Sequence, residues 1–234
     1  MSERSLNEYI DIMERSITNI RADIAHHAKG NVTLLAATKT VPAEAVNYAI
    51  DNLGITDIGE NRVQELLEKY DALHKERLNI HFIGRLQTNK VKYIIDKVCL
   101  IHSLDSEKLA AEIDRQARKI GKVMDVLVEI NIGGEQSKGG ISPENAEEFV
   151  DSLSVFTNIR ARGLMVIPPA TVSREEMIKY FGQTYKIFID IFQKKLHNDN
   201  SCILSMGMSD SYIEALDCGS NLIRLGSALF GKRA

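Results

Sequence analysis

Several features are scarce or missing in this chain of 234 residues, and each absence excludes a class of protein. The three cysteines, Cys99, Cys202 and Cys218, are odd in number and have no CxxC spacing, which argues against a disulfide framework and a zinc site. We therefore predict no metal ligands and a reducing, cytoplasmic location. No Pro/Gly/Ser-rich linker, low-complexity segment or internal repeat marks a domain boundary.

Long apolar runs and an excess of positive charge are missing as well. The formal net charge is −3 with no long basic run, which gives no electrostatic reason to bind nucleic acid or anionic lipid. No stretch of about 18 apolar residues could span a bilayer. The N-terminal segment MSERSLNEYIDIMERSI carries alternating charges and is not expected to be a signal peptide. Small molecules and other proteins remain the expected partners.

The composition and length that remain are those of a globular α/β protein. Hydrophobic residues make up 44% and charged residues 26% of the chain, close to the average of globular domains. A chain of 234 residues is long enough for one α/β barrel. We therefore predict that residues 1–234 form a single domain.

Short apolar runs alternate with segments of helical periodicity, which favours parallel strands with helices outside them. Eight candidate strands are Val32–Ala37, Ile55–Ile58, Ile80–Ile83, Cys99–His102, Met124–Ile130, Ile159–Leu164, Cys202–Leu204 and Leu222–Leu225. Candidate helices are Leu6–His27, Ala43–Asn52, Arg62–His74, Ser106–Ile120, Pro143–Ser152 and Arg174–His197. The pattern predicts a (β/α)8 TIM-type barrel with an extra N-terminal helix. Periodicity alone leaves an open doubly wound sheet as the alternative.

Polar residues follow the predicted strands, where barrels place their chemistry. Lys39 comes directly after the first strand and precedes Val41 and Pro42. A lysine in a desolvated pocket there has a lowered pKa and can form an imine with an aldehyde. Position alone does not distinguish such a lysine from an ordinary surface lysine.

Two glycine-containing turns follow the last two strands, SMGMSDSYIEALDCG (205–219) and RLGSALFG (224–231). Backbone N–H groups and hydroxyls in such turns can bind a phosphate, and barrels commonly build a phosphate site there. Simple N-capping by Ser209 or Asp210 is the alternative for the first turn. Arg224 is a buried or mouth-facing cation whose partner is either a structural carboxylate or a ligand.

Seven ordered motifs together give the chain a family resemblance that covers about Val32 to Gly231. They are AATKTVP (36–42), GENRVQE (59–65), HFIGRLQTNK (81–90), INIGGEQSKGG (130–140), GLMVIPP (163–169), SMGMSDSYIEAL (205–216) and IRLGSALFG (223–231). The sequence closely resembles the pyridoxal 5′-phosphate (PLP) homeostasis protein family. The resemblance implies PLP as the cofactor and the barrel of the alanine racemase N-terminal domain as the fold.

The resemblance also implies roles for individual residues. Lys39 carries the internal aldimine of PLP. Ser209, Gly226 and Ser227 bind the phosphate, and Arg224 faces the pyridine nitrogen. Asn61 and Met206 line the ring.

The function implied by this resemblance is buffering and delivery of PLP by a monomeric, non-catalytic protein, with apo PLP-dependent enzymes as further partners. A racemase-like PLP enzyme is the alternative, and a barrel for another phosphorylated metabolite is a second one. Alanine racemase uses a tyrosine from a separate C-terminal β-domain, for which a chain ending at Ala234 is expected to have no room. A racemase needs two placed proton carriers. The sequence alone assigns that role to none of Tyr48, Tyr93, Tyr180, Tyr185 and Tyr212.

Overall fold

The computed structural model describes residues 4–135, 139–169, 172–195 and 202–232. Their eight strands are β1 (Thr33–Ala37), β2 (Asp57–Glu60), β3 (Asn79–Phe82), β4 (Leu100–Leu104), β5 (Met124–Ile130), β6 (Ile159–Val166), β7 (Ile203–Ser205) and β8 (Leu222–Leu225). All strand pairs are parallel and follow chain order, and β8 pairs with β1 to close the barrel. The predicted (β/α)8 barrel is confirmed, and the open doubly wound sheet is excluded.

Helices lie between most strands of the described chain. They are α1 (Leu6–His27), α2 (Ala43–Leu53), α3 (Val63–Tyr70), α4 (Val91–Ile94), α5 (Glu107–Lys119), α6 (Ala146–Ser152), α7 (Arg174–Phe188), α8 (Tyr212–Asp217) and α9 (Ser227–Phe230). Short 3₁₀ turns occur at Lys75–Arg77, Thr88–Lys90, Pro143–Asn145 and Leu153–Val155, and a π-helical segment covers Ile189–Lys195.

The extra N-terminal helix is confirmed with the predicted bounds. Ser5 begins α1 with a capping box, in which Ser5 and Glu8 each bind the other's backbone N–H. Met13, Ile17 and Ile20 are buried at intervals of three and four residues. This apolar face packs α1 against α2, α8 and α9, so the helix covers the junction between the first and last βα units.

Two predicted helices end differently in the structure, and most other predicted bounds differ by one or two residues. The helix predicted over Arg62–His74 ends at Tyr70, because the Asn47 side chain binds the carbonyl of Ala72 and the N–H of His74 and so draws the chain out of the helix. The helix predicted over Arg174–His197 becomes π-helical at Ile189, and its last two residues lie outside the described ranges. The short helix α4 was not predicted.

Strand β2 begins and ends two residues later than predicted. Ile55 packs in the core from the preceding loop, and its N–H donates to the carbonyl of Ala49 in α2. The strand therefore pairs with β3 from Asp57 to Glu60. Glu60 lies inside the strand although it is charged, because Lys69 from α3 is its ion-pair partner.

No helix within the described ranges is long and apolar enough to cross a membrane.

Candidate functional site

A cavity of about 1330 Å³ lies at the carboxyl ends of the strands. Residues directly at or after seven strand ends line it, and α1 contributes Leu6 and Tyr9. The charged residues of its lining are Arg4, Lys39, Glu44, Glu65, Lys69, Arg85, Glu129, Asp210 and Arg224. This is the end of the barrel where βα loops converge and where the sequence predicted the site.

Six of the seven residues predicted for the site line this cavity: Lys39, Asn61, Ser209, Arg224, Gly226 and Ser227. Met206 does not line it, because its side chain is fully buried in the hydrophobic core directly after β7. Gly207 follows with a φ of 95°, and a Cβ there would lie 2.6 Å from that of Ala215. This turn, which only glycine accommodates, brings Met208 of the same motif to the cavity instead.

Lys39 is half-buried in the loop after β1, and its amine has no hydrogen-bond or ion-pair partner among the described residues. The next residue, Thr40, has a φ of 63°, a left-handed conformation that is uncommon for a residue with a Cβ. The Glu65 carboxylate accepts the Thr40 N–H and so holds this conformation. Lys39 therefore presents a free amine from a fixed backbone.

Lys69 of α3 also lines the cavity, but its amine is fully engaged. Its Nζ lies 2.7 Å from the Thr38 carbonyl, 3.1 Å from the Val41 carbonyl, 2.7 Å from Glu60 Oε1 and 2.9 Å from Glu65 Oε1. An ammonium has three protons, so four acceptors saturate it. Lys69 therefore stabilises the loop that carries Lys39, and its own amine is unavailable as a nucleophile.

Glu60 is the buried carboxylate of this cluster. The Thr38 hydroxyl donates to its Oε1 at 2.6 Å, whereas its Oε2 has no partner among the described residues. Burial raises the pKa of Glu60 above its ordinary value, although the Lys69 ammonium opposes that shift.

Ser209 joins the two turns that follow β7 and β8. Its Oγ accepts the N–H of Gly226 at 3.3 Å and that of Ala228 at 3.0 Å, so it caps the start of α9. The alternative prediction, in which Ser209 caps the helix that follows its own turn, is therefore wrong: Ser209 caps α9 and not α8. Both lone pairs of Ser209 Oγ are thereby used, and its O–H proton remains available to an acceptor in the cavity.

Ser227 offers further donors at the same place. Its hydroxyl and N–H have no acceptor among the described residues, and neither does the N–H of Ser209. The Gly226 N–H, which was predicted to face a phosphate, is already bound to Ser209. The two hydroxyls and the two free amides form a donor set suited to a phosphate.

Arg224 of β8 lines the cavity and is 4% exposed. Its Nη1 donates to the Ser205 carbonyl at 2.9 Å and to Ser205 Oγ at 2.6 Å, and its Nη2 donates to the Val166 carbonyl at 3.0 Å. The Nε proton and the second Nη2 proton have no acceptor within the described chain. Burial lowers the pKa of Arg224 to about 10, partly offset by the charge of Glu129, so the guanidinium stays charged at neutral pH.

Asn61 lines the cavity directly after β2, and its buried Oδ1 has no partner in the described part of the chain. The loop that follows β3 approaches its backbone closely at Gly84. A Cβ at Gly84 would lie 2.1 Å from the Asn61 carbonyl oxygen, so only glycine permits this approach. The unpartnered amide is a polar group that a ligand can satisfy.

Several lining residues were missed by sequence reasoning. They are Tyr9, Glu65, Lys69, Arg85 and Glu129. Burial raises the pKa of Glu129, and the charge of Asp105 adds to that shift. The i,i+4 spacing of Glu65 and Lys69 was a detectable sign of an ion pair on α3, but nothing local pointed the pair toward the β1–α2 loop. Residues 136–138 of the INIGGEQSKGG motif lie outside the described ranges.

Comparison with known proteins adds independent evidence. The sequence model of the alanine racemase N-terminal domain family matches residues 14–234. A pyridoxal phosphate homeostasis protein of Aquifex aeolicus is 46% identical over 200 residues, covering 86% of each chain. One of Pasteurella multocida is 35% identical over 229 residues, covering 94% of this chain and 97% of that protein.

Solved structures agree with the fold. PipY of Synechococcus elongatus, solved with PLP bound, is 31% identical with a TM-score of 0.80, covering 92% of this chain and 100% of that one. An alanine racemase of Clostridium difficile is 18% identical with a TM-score of 0.73, covering 94% of this chain and 57% of that one. At that identity the racemase shows a shared fold alone.

Proposed function

Since the chain belongs to the pyridoxal phosphate homeostasis protein family, we propose that it binds PLP in the cavity at the strand ends and serves to buffer and deliver it. The observation that carries this proposal is the free amine of Lys39 in a cavity where Lys69, the other lysine of its lining, is saturated. PLP carries an aldehyde and a phosphate, and the aldehyde condenses with a lysine amine. Lys39 is the residue proposed to hold the aldehyde carbon.

The remaining donors fit the other parts of the cofactor. The hydroxyls of Ser209 and Ser227, with the free Ser227 N–H, would hold the phosphate. Arg224 would donate one of its unused N–H groups to the pyridine nitrogen, and Asn61 would meet a polar group of the ring. Gly226 would line the phosphate end without contributing its N–H, and Met206 would support the site from the core.

Arg224 argues against PLP chemistry that needs a protonated ring nitrogen. A guanidinium keeps its protons at neutral pH, so an acceptor nitrogen beside it receives a hydrogen bond and stays unprotonated. Many PLP enzymes instead need a protonated ring that withdraws electrons. No carboxylate of the described residues forms an ion pair with Arg224 and could reverse this preference.

The tyrosines bear on the racemase alternative. The hydroxyls of Tyr48 and Tyr212 donate to Glu14 and Asp23, and neither lines the cavity. Tyr9 does line it and favours that alternative, since a second proton carrier would be needed beside Lys39. The guanidinium of Arg4, which precedes α1, lies over its ring at 5.1 Å from the centroid.

The first experiment tests covalent binding. Purified protein titrated with PLP is expected to gain an absorption band near ~420 nm, and borohydride followed by peptide mapping is expected to place the pyridoxyl group on Lys39. Lys39→Ala should abolish the band, whereas Lys90→Ala, at an exposed lysine outside the lining, should retain it. A pyridoxyl group on another lysine would refute the assignment.

The second experiment tests turnover. The PLP-loaded protein is expected to exchange the α-proton of amino acids far more slowly than the roughly 1–10³ per second of ordinary enzymes. Exchange within that range, abolished by either Lys39→Ala or Tyr9→Phe, would establish the racemase-like alternative instead.

Delivery is tested by adding the PLP-loaded protein to a PLP-dependent apo-enzyme and comparing the rate of its reactivation with the rate obtained with free PLP at equal concentration.

A further inference from the structure

A chain of buried polar side chains runs through the barrel from Arg224 to the opposite end. Arg224 Nη1 lies 2.6 Å from Ser205 Oγ, which lies 3.1 Å from His102 Nδ1. His102 Nε2 lies 2.9 Å from His81 Nδ1, and His81 Nε2 lies 3.0 Å from Asp57 Oδ1. Asp57 is the first residue of β2, so the chain ends at the amino-terminal side of the barrel.

The donors and acceptors of this chain can be assigned from Arg224, which only donates. Ser205 Oγ accepts from Arg224, so its own proton satisfies His102 Nδ1. His102 then carries its proton on Nε2 and donates it to His81 Nδ1. His81 carries its proton on Nε2 and donates it to the Asp57 carboxylate. Every group is satisfied with both imidazoles neutral.

The reverse order is unfavourable. If His102 Nδ1 donated to Ser205, the Ser205 proton would lose its acceptor, and a neutral His81 would face Asp57 with a lone pair. Only an imidazolium at His81 would remove that repulsion, inside a barrel that already holds the Arg224 cation. Burial, with the positive charge of Arg224 nearby, also holds the pKa of His102 well below its ordinary value.

The interior of such a barrel is ordinarily filled by branched apolar side chains, and buried polar groups are costly unless they are paired. His81, His102 and Ser205 are at most 4% exposed. Among the described residues they lead, by hydrogen bonds, to the buried guanidinium of Arg224 at the cavity. Arg224 donates three of its five N–H protons to Ser205 and Val166, and the other two are available to a ligand.

We propose that Asp57, His81, His102 and Ser205 form a positioning relay. The relay orients Arg224 toward the cavity, and the negative charge of Asp57 polarises its successive hydrogen bonds and so strengthens the bond from Arg224 to Ser205. This inference rests on the proposed function, because it makes the environment of the PLP ring nitrogen depend on residues that do not touch the ligand. Ser205 is the relay residue that contacts Arg224, and Asp57 is the carboxylate at the opposite end.

The first test uses the protein without PLP. Long-range ¹H–¹⁵N spectra of histidine-labelled protein are expected to show His81 and His102 as neutral Nε2–H tautomers. Ser205→Ala removes one oxygen atom and the donor to His102 Nδ1, so the His102 signals should move toward a mixture of tautomers. A His81 or His102 that is protonated on Nδ1 in the unmodified protein at neutral pH would overturn the relay.

The second test uses PLP binding. Ser205→Ala is expected to weaken PLP binding about tenfold and to shift the absorption band of the bound cofactor. Asp57→Asn, which keeps the shape and removes the charge, should shift the band in the same direction and provides a second variant should Ser205→Ala fail to fold. The matched control is Asp51→Asn, which alters an exposed His–Asp pair with His74 at 2.8 Å and should change neither property.

The outcomes separate the two proposals. If the unmodified protein fails to bind PLP, the proposed function fails, while the tautomers still decide whether the relay has the assigned order. If the unmodified protein binds PLP and the two relay variants match it in affinity and spectrum, the proposed function stands and the relay is refuted.

Discussion

At the scale of residues, the difference between Lys39 and Lys69 shows how partners decide reactivity. Both lysines line the same cavity, but four acceptors surround the amine of Lys69 and none of the described residues pairs with that of Lys39. A saturated ammonium must break hydrogen bonds before it can lose a proton. Both are ordinary lysines in the sequence, and only their surroundings distinguish them.

The serines of the last two turns give a residue-scale prediction. Ser209→Ala combined with Ser227→Ala should narrow the difference in affinity between PLP and pyridoxal, which lacks the phosphate. In the unmodified protein that difference is expected to be about a thousandfold, since each hydrogen bond to a charged group contributes roughly 1.5–3 kcal/mol. Titration of the apo-protein with each ligand measures it.

Ser173→Ala is the matched control for this pair. Ser173 caps α7 as Ser209 caps α9, and Ser173 does not line the cavity. Loss of either cap should lower stability by about 0.5–2 kcal/mol, but only the Ser209 and Ser227 substitutions should change the ratio of affinities. Equal affinities of the unmodified protein for PLP and pyridoxal would contradict the phosphate assignment.

At the scale of elements, α3 stabilises the loop between β1 and α2. Lys69 binds the carbonyls of Thr38 and Val41 on either side of Lys39, and Glu65 accepts the N–H of Thr40. The helix thus holds the backbone of the predicted nucleophile from outside the barrel strands. Its two charged residues act together, since both touch the same loop.

Lys69→Met is therefore expected to be strongly destabilising. It leaves Glu60 and Glu65, whose side chains are 1% and 17% exposed, without their cation, and breaking a buried pair in this way costs about 3–5 kcal/mol. Urea denaturation should show the loss, and the absorption band with PLP should form more slowly as the Lys39 loop loosens.

The control for this substitution is Lys194→Met. Lys194 forms an i,i+4 pair with Asp190, but the side chains are 70% and 47% exposed. Exposed pairs of this kind contribute about 0–1 kcal/mol, so stability should hardly change. If Lys69→Met were as mild as its control, α3 would have no role in supporting the site.

At the scale of the whole molecule, the barrel interior determines how stability depends on pH. The folded protein holds the pKa of His102 well below its ordinary value, whereas an unfolded chain protonates this residue near about pH 6.5. The unfolded state therefore binds more protons as the pH falls below that value. The stability contributed by neutral His102 is fully present above about pH 6.5 and is lost progressively below it.

Between pH 7 and pH 5, the free energy of unfolding is accordingly expected to fall, with a slope from His102 of at most about 1.4 kcal/mol per pH unit. His102→Gln should reduce that slope, whatever its effect on absolute stability. Urea denaturation at several pH values measures both proteins, and the histidines that do not contact His102 contribute equally to each. Identical slopes would show that His102 is not held neutral in the fold.

Much of the fold was predictable because buried parallel strands leave a local pattern. Strands β5 and β8 were predicted with their observed bounds, and α1 likewise, since apolar runs and capped amphipathic segments depend on neighbouring residues. The end of α3 was not predictable, because Asn47 of another helix determines it. Ends set by a distant side chain leave no trace in the segment itself.

The sequence by itself determined the eight strands alternating with helices and the strand ends that carry the cavity, and its family motifs predicted six of the seven proposed site residues that line it. Tertiary structure alone decided the rest. It buried Met206, saturated Lys69, bound the Gly226 N–H to Ser209 and aligned His81 with His102 and Asp57. Most of these contacts join residues of different βα units, and a closed barrel brings such residues together whatever their separation in the chain.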